Sequence, residues 1–425
     1  MPRQVSLMKR CITLVFLALG VLRGAAWAQA ESVLYSFCAE GGHSCTDGAY
    51  PLAGLTFDQN GNLYGTTVGG GANGRGIVFK LTPEGKETVL YSFCVQNNCA
   101  DGDAPYAGLV LDKNGNLYGT TNSGGVYNGC ASGLGCGVVF KLTPKGEETI
   151  LYTFCVQTNC TDGANPAAGL VIDEKGNLYG TTSAGGISCK AGCGVVFKLT
   201  PKGKETVLYS FSGADGANPA AGLVFDEKGS LYGTTQSGGV YGGGAVFKLS
   251  PKGKETILYS FCAEGGRRCT DGTNPVAGLV LDRNGNMYGT TAWGGAYFYS
   301  AGVVFKLTPK GKETILYSFC QQGYPCLDGT QPFSVLVFDK EGNLYGTSGG
   351  GSNDNCDHGG CGEVFKVTAK DKETALYDFC PSRGSNCSDG FWPSAGLVFD
   401  QKGNLYGTAN YGGLYGGGVV FKLTP

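Results

Sequence analysis

Carboxylates are the most regular chemical groups in this chain. An Asp-Gly pair recurs seven times, at Asp47, Asp101, Asp162, Asp215, Asp271, Asp328 and Asp389, with a proline close behind, as in Asp162-Gly163-Ala164-Asn165-Pro166. Seven carboxylates gathered at one channel mouth could hold a cation, and calcium is the ion that oxygen donors favour. The competing reading is a side-chain cap on a turn. Identical repetition favours the cap, since a binding site has no use for seven equivalent groups. A smaller oxygen-rich cluster, Asp354, Asn355 and Asp357, could also take calcium, although it does not match an EF-hand loop. The two histidines, His43 and His358, offer a base or a metal ligand and read first as surface residues. No cofactor is required by these patterns, and calcium is an ion they could accept.

Aromatic residues form the second candidate set: Tyr127, Tyr241, Trp293, Tyr297, Phe298, Tyr299, Trp392, Tyr411 and Tyr415. All fall in segments that vary between copies of a repeat. Exposed rings can stack on sugars or grip a protein partner; the bland alternative is that they cover loop bases. Trp293 and its neighbours are the strongest candidates of this set. No Gly-x-Ser-x-Gly elbow, His-Glu-x-x-His or phosphate-binding loop occurs, so no catalytic residue is assigned.

Nineteen cysteines set the compartment. The first thirty residues carry Arg3, Lys9, Arg10 and Arg23, an apolar run from Cys11 to Leu22, and a small-residue end at Ala25-Ala26-Trp27-Ala28-Gln29-Ala30. That is the pattern of a signal peptide over residues 1–30, and the run is too short to span a bilayer. Cys11 leaves with it. The rest fall into nine neighbouring pairs: Cys38 with Cys45, Cys94 with Cys99, Cys130 with Cys136, Cys155 with Cys160, Cys189 with Cys193, Cys262 with Cys269, Cys320 with Cys326, Cys356 with Cys361 and Cys380 with Cys387. An even count in an exported chain reads as disulfides; short spacings with only two histidines argue against zinc. Processing leaves 28 basic against 34 acidic residues, a formal charge of −6, with no basic patch for nucleic acid and no transmembrane segment. The expected product is a monomer that is secreted, periplasmic or extracellular.

What positions these groups is a repeat. Leu34-Tyr35-Ser36-Phe37 recurs, with small variations, at Leu90, Leu151, Leu208, Leu258, Leu316 and Leu376, starts that average 57 residues apart. Between the copies run three more phrases: Ala-Gly-Leu-Val-Phe/Leu-Asp, Gly-Asn-Leu-Tyr-Gly-Thr-Thr and Gly-Val-Val-Phe-Lys-Leu-Thr-Pro. Each has strand composition over five to seven residues, and none shows a helical period. Asn60-Gly61, Asn114-Gly115 and Asn284-Gly285 mark hairpins. The expectation is an all-β, seven-bladed propeller of four-stranded blades filling residues 31–425, with a parallel β-helix as the weaker alternative. Because the chain starts in the outermost-strand phrase and ends in the third-strand phrase, the N-terminal strand should complete the last blade and remove an open edge. The Asn-Gly and Pro-x-Gly turns would share one face. The cysteine-bearing loops would share the other, and that is where binding is expected.

The repeat resembles the GloVer-type tandem repeat of secreted and surface-anchored bacterial proteins, in Gly-Asn-Leu-Tyr-Gly-Thr-Thr, the following Gly-Gly, Gly-Val-Val-Phe-Lys-Leu-Thr-Pro and the Leu-Tyr-Ser-Phe strand. The resemblance implies an exported bacterial protein and supplies no catalytic residues. The expected function is a binding module for a glycan, peptide or protein partner. The alternatives are a propeller hydrolase, lactonase or lyase with a metal at the channel mouth, and a structural component of the cell envelope.

Overall fold

A computed structural model describes residues 30–126, 130, 133–187, 189, 192–264, 269–297, 301–321, 323, 326–351, 356, 360–370, 372–381 and 387–424. Residues 1–29 of the expected signal peptide lie outside them, as do Tyr127, Phe298, Tyr299, Asp354, Asn355, Asp357 and His358. The described strands form seven four-stranded antiparallel sheets in a ring. Blade one is typical: β2 (Thr56–Phe57), β3 (Leu63–Thr67), β4 (Ile77–Leu81) and β5 (Glu87–Ser92), in that order. Blade seven is built from both ends of the chain. Its outermost strand β1 (Ala30–Ser36) pairs antiparallel with the last strand β28 (Val419–Thr424), from Ala30↔Thr424 to Ser36↔Val419. The expected splice is present.

Two details differ from the sequence reading. The innermost strand is only two residues long in every blade, and in blade one Asp58 turns the chain straight after it. Each outermost strand carries a β-bulge at the leucine of its phrase; Phe79 faces Val89 and Val78 faces Tyr91, so Leu90 is the extra residue. The only helices among the described residues are three single 3₁₀ turns, Gly42–Ser44, Asn97–Cys99 and Thr158–Cys160, all inside disulfide loops.

Blades are joined by identical contacts repeated around the ring. Phe37 meets Phe79, Phe93 meets Phe140 and Phe154 meets Phe197, each edge-to-face with centroids 5.1, 5.1 and 5.0 Å apart. All six rings are 0% exposed. A buried threonine of each second strand donates to the next blade's inner segment: Thr66 to the Ala107 carbonyl at 3.1 Å, and so on to Thr408, which reaches Ala53 at 3.2 Å and closes the circle. The second-strand glycine makes room for the phenylalanine beside it. A Cβ on Gly119 would stand 2.6 Å from Phe140 Cζ and 2.9 Å from Leu109 Cδ2. Gly119→Ala should therefore cost about 1–3 kcal/mol through overpacking, read as a lower urea midpoint with an unchanged m-value.

A candidate recognition surface at the seam of blades seven and one

The nine expected disulfides are all formed. Six pin the loops that link successive blades: Cys38 with Cys45, Cys94 with Cys99, Cys155 with Cys160, Cys262 with Cys269, Cys320 with Cys326, and Cys380 with Cys387. Three lie between second and third strands: Cys130 with Cys136, Cys189 with Cys193, and Cys356 with Cys361. Cys193, Cys326 and Cys387 are buried, whereas Cys45 and Cys269 are half-buried. Some pairs adjoin one another: the sulfurs of Cys130, Cys136, Cys155 and Cys160 lie together, as do those of Cys356, Cys361 and Cys380. Oxidised sulfurs offer no thiolate for a metal, so all eighteen act as staples of the loops. Strand direction puts all nine bridges on one face. The plain hairpins share the other, where Gly61 and Pro83 of neighbouring turns nearly touch.

The seven Asp-Gly aspartates make the hydrogen bonds of a loop cap. Asp47 Oδ2 accepts from the Tyr35 hydroxyl at 2.8 Å and the Ala39 N–H at 2.9 Å, and its Oδ1 accepts from the Glu40 N–H at 3.1 Å. Asp101 and Asp162 repeat this with Tyr91, Val95 and Gln96, and with Tyr152, Val156 and Gln157. Asp215, Asp271, Asp328 and Asp389 are bonded in the same way to Tyr209, Tyr259, Tyr317 and Tyr377. Each carboxylate thus ties the outermost strand of one blade to the start of the linker that follows it.

A second carboxylate ring was not anticipated. Glu31, Glu87, Glu148, Glu205, Glu255, Glu313 and Glu373 stand at or next to the start of the outermost strands, and in each the Oε1 atom is buried without a hydrogen-bond partner. Each sits across a seam from a capping aspartate. Burial, then the charges of Asp47 and Glu40, push the Glu87 carboxyl up to about 8; burial and Asp101 push Glu148 up to about 7. A third ring, of Asp58 and its equivalents, locks the hairpin between the first and second strands of each blade. Partial burial would raise the Asp58 carboxyl. The Asn62 side chain, the N–H groups of Asn62 and Asn60, and the Tyr64 hydroxyl outweigh burial and hold it below the ordinary value.

The aromatic candidates separate by blade. Tyr241 is exposed in blade four; Trp293 is exposed in blade five, where its backbone pairs with Thr273, and Tyr297 beside it is half-buried. Trp392 and Tyr411 converge in blade seven, 6.1 Å apart. Two rings that the sequence did not single out join them. Phe391 stacks on Tyr411 at 5.3 Å, and Tyr50, from the next linker, meets Tyr411 edge-to-face at 5.5 Å. The Tyr50 N–H is fastened to the Gly417 carbonyl at 2.8 Å. Tyr50 is 44% and Tyr411 37% exposed. Aligning the seven copies would have exposed the pattern. The residue before each linker proline (Tyr50, Ala104, Asn165, Asn218, Asn274, Gln331, Trp392) has positive φ. Only Tyr50 and Trp392 are aromatic there, and they stand on either side of blade seven, Trp392 at its seam with blade six and Tyr50 at its seam with blade one.

Two clefts adjoin this cluster. One, of ≈ 420 Å³, lies between the loop closed by Cys38 and Cys45 and the residues Tyr50, Tyr415 and Gly417. The other, of ≈ 490 Å³, runs from Tyr50 along Gly69–Gly74. His43 lines both. The seam therefore offers rings, a polar heterocycle and concave space together, which is what a ligand site needs.

A family model described as the Gloeobacter/Verrucomicrobia repeat matches residues 25–131, 131–355 and 268–425. Among curated proteins none matches. Of solved structures, a streptogramin B lyase superposes with a TM-score of 0.58 at 16% identity, over 94% of this chain and 99% of that one. The GH74 xyloglucanase of Xanthomonas campestris gives 0.55 at 15% identity, over 90% of this chain and 53% of the xyloglucanase. At such identities the likeness is one of fold.

Proposed function

The chain belongs to the Gloeobacter/Verrucomicrobia repeat family, and on that premise we propose that it is an exported recognition propeller that binds a glycan, peptide or protein partner at the seam of blades seven and one. The observation that carries this is the convergence of Tyr50, Phe391, Trp392 and Tyr411 beside two clefts on the disulfide-bearing face. A rigid ring holds those side chains in place, so little ordering entropy is lost on binding. The disulfides suit an oxidising compartment, and among the described residues no helix is long and apolar enough to cross a membrane.

A glycan array probed with the purified protein, followed by titration of the best ligand, tests the site. Trp392→Ala with Tyr411→Ala should weaken binding by about 10- to 100-fold, the range expected for losing two anchor rings. Trp293→Ala with Tyr297→Ala should leave it unchanged. The reverse result would move the site to blade five. The catalytic alternative rests on His43, which lines both clefts. A ligand recovered chemically intact supports recognition; one converted by the protein, with turnover lost in His43→Ala, supports an enzyme.

A further inference from the structure

Blade six departs from its copies at the buried start of its third strand and at the exposed residue paired with it, Asp378. The third strand opens with an aliphatic residue in the other six blades, at Ile77, Val138, Val195, Ala245, Val303 and Val419, but with Glu363 here. Its cross-strand neighbours differ as well. Glu363 pairs with Ser348 on one side and Asp378 on the other. Asp378 stands where every other blade carries serine or threonine, such as Ser92 or Thr153. Glu363 is 0% exposed, and neither carboxylate oxygen has a hydrogen-bond partner. The nearby Ser348 hydroxyl donates instead to the Gly350 carbonyl at 3.1 Å.

A second unpartnered oxygen lies in the linker above. Asp328 is 3% exposed. Its Oδ2 takes the Tyr317 hydroxyl at 2.7 Å and the Gln321 N–H at 2.9 Å, as a linker cap should, but its Oδ1 is buried without a partner. The next residue, Gly329, lies so close over Glu363 Oε1 that any Cβ would collide with it. Burial, then Glu373, Asp378 and Asp328, raise the Glu363 carboxyl well above its ordinary value, and burial raises Asp378. Six other blades show that an aliphatic side chain satisfies the fold at position 363. The carboxyl is therefore an addition whose charge must be neutralised by a proton or by a cation.

We propose that Glu363, Asp378 and Asp328 bind one divalent cation under the Gly329 linker, and that the ion is calcium. The donors are all hard oxygens, which excludes a preference for zinc or copper. Among the described residues, the groups whose ligand atoms already converge are disulfide cysteines, so calcium binding draws these three carboxylates closer than they stand here. Of the seven linker aspartates, only Asp328 has such an acid beneath it. The proposal is independent of the aromatic seam.

The test uses purified full-length protein stripped with chelator. Calcium should raise the melting temperature, and terbium should bind with one equivalent per chain. Terbium emission should be sensitised by Tyr317, whose hydroxyl rests on Asp328. Glu363→Val and Asp378→Ser restore residue types found in the other blades, so both variants should fold, which circular dichroism verifies. Both should lose the calcium shift and the terbium emission. Two results overturn the proposal: a wild type that neither shifts with calcium nor sensitises terbium, or a Glu363→Val variant that binds as the wild type does. A Glu363→Val variant that is simply more stable, with no calcium response in either protein, also overturns it by making Glu363 a buried acid that keeps its own proton.

Discussion

A chain lacking residues 30–37 is expected to lose its single cooperative unfolding transition and to aggregate on heating. Two losses act together. The first is a strand: β1 pairs with β28 over its whole length, and without it Val419–Thr424 becomes an exposed edge carrying Val420 and Phe421, both now 0% exposed. Unprotected edges of that composition recruit other chains. The second is a contact between blades. Phe37 is fully buried against Phe79 of blade one, and the Phe37 N–H is held by the Gly418 carbonyl at 2.9 Å. Phe37→Ala alone should cost about 3–5 kcal/mol, as buried phenylalanine truncations do. The deletion removes that together with the ladder, and it takes away the splice between β1 and β28 inside blade seven, the one place where the ring is not covalently continuous. Calorimetry and size-exclusion chromatography read the outcome. A deleted chain that stays monodisperse and melts at the wild-type temperature would show that the ring holds without its splice.

The same seam shows how far sequence carries and where it stops. Strand composition, the Asn-Gly hairpins, the cysteine pairs and the phase of the repeat are local, and each of them specifies the architecture seen. Contacts between blades are not local. Glu87 reads as an ordinary strand residue after Lys86, and only the approach of the preceding blade buries its Oε1 atom. Tyr50 and Phe391 lie 341 residues apart and share Tyr411 through closure alone. Leu90 breaks the in–out alternation of its strand, a signal that was present but reads as a bulge only once Val78 is known to face Tyr91. Glu363 belongs to a different class. A column of seven aligned copies displays it as the one acid among aliphatics, yet its consequence depends on Gly329 lying over it.

Stability should peak in mildly acidic solution and fall as pH rises through neutrality. The seven seam glutamates are pushed up from 4.5, Glu87 and Glu313 to about 8 and Glu31, Glu148, Glu205, Glu255 and Glu373 to about 7, by burial first and then by the neighbouring carboxylates. A group whose carboxyl is raised by folding gives its full contribution below the unfolded value, near 4.5, and loses it as pH climbs through 7 to 8, because the unfolded chain ionises more readily. The hairpin aspartates work in the opposite sense. Asp58, Asp112, Asp173, Asp226, Asp282, Asp339 and Asp400 are held below 3.8, so their contribution is present above that value and is lost as pH falls through their lowered ones. Between the two windows, near pH 5, both rings favour the fold. The seam groups are only partly buried, and solvent screening reduces each to about 0.5 kcal/mol. Seven of them still amount to about 3–4 kcal/mol between pH 5 and 9, by the linkage of proton affinity to stability. Urea midpoints measured across that range should fall steadily. Glu87→Gln combined with Glu148→Gln should flatten the fall by roughly two sevenths while leaving the acid limb, which belongs to the hairpin aspartates, where it was. A profile level from pH 5 to 9, or one on which the double variant has no effect, would mean that the seams are solvated more fully than their packing indicates.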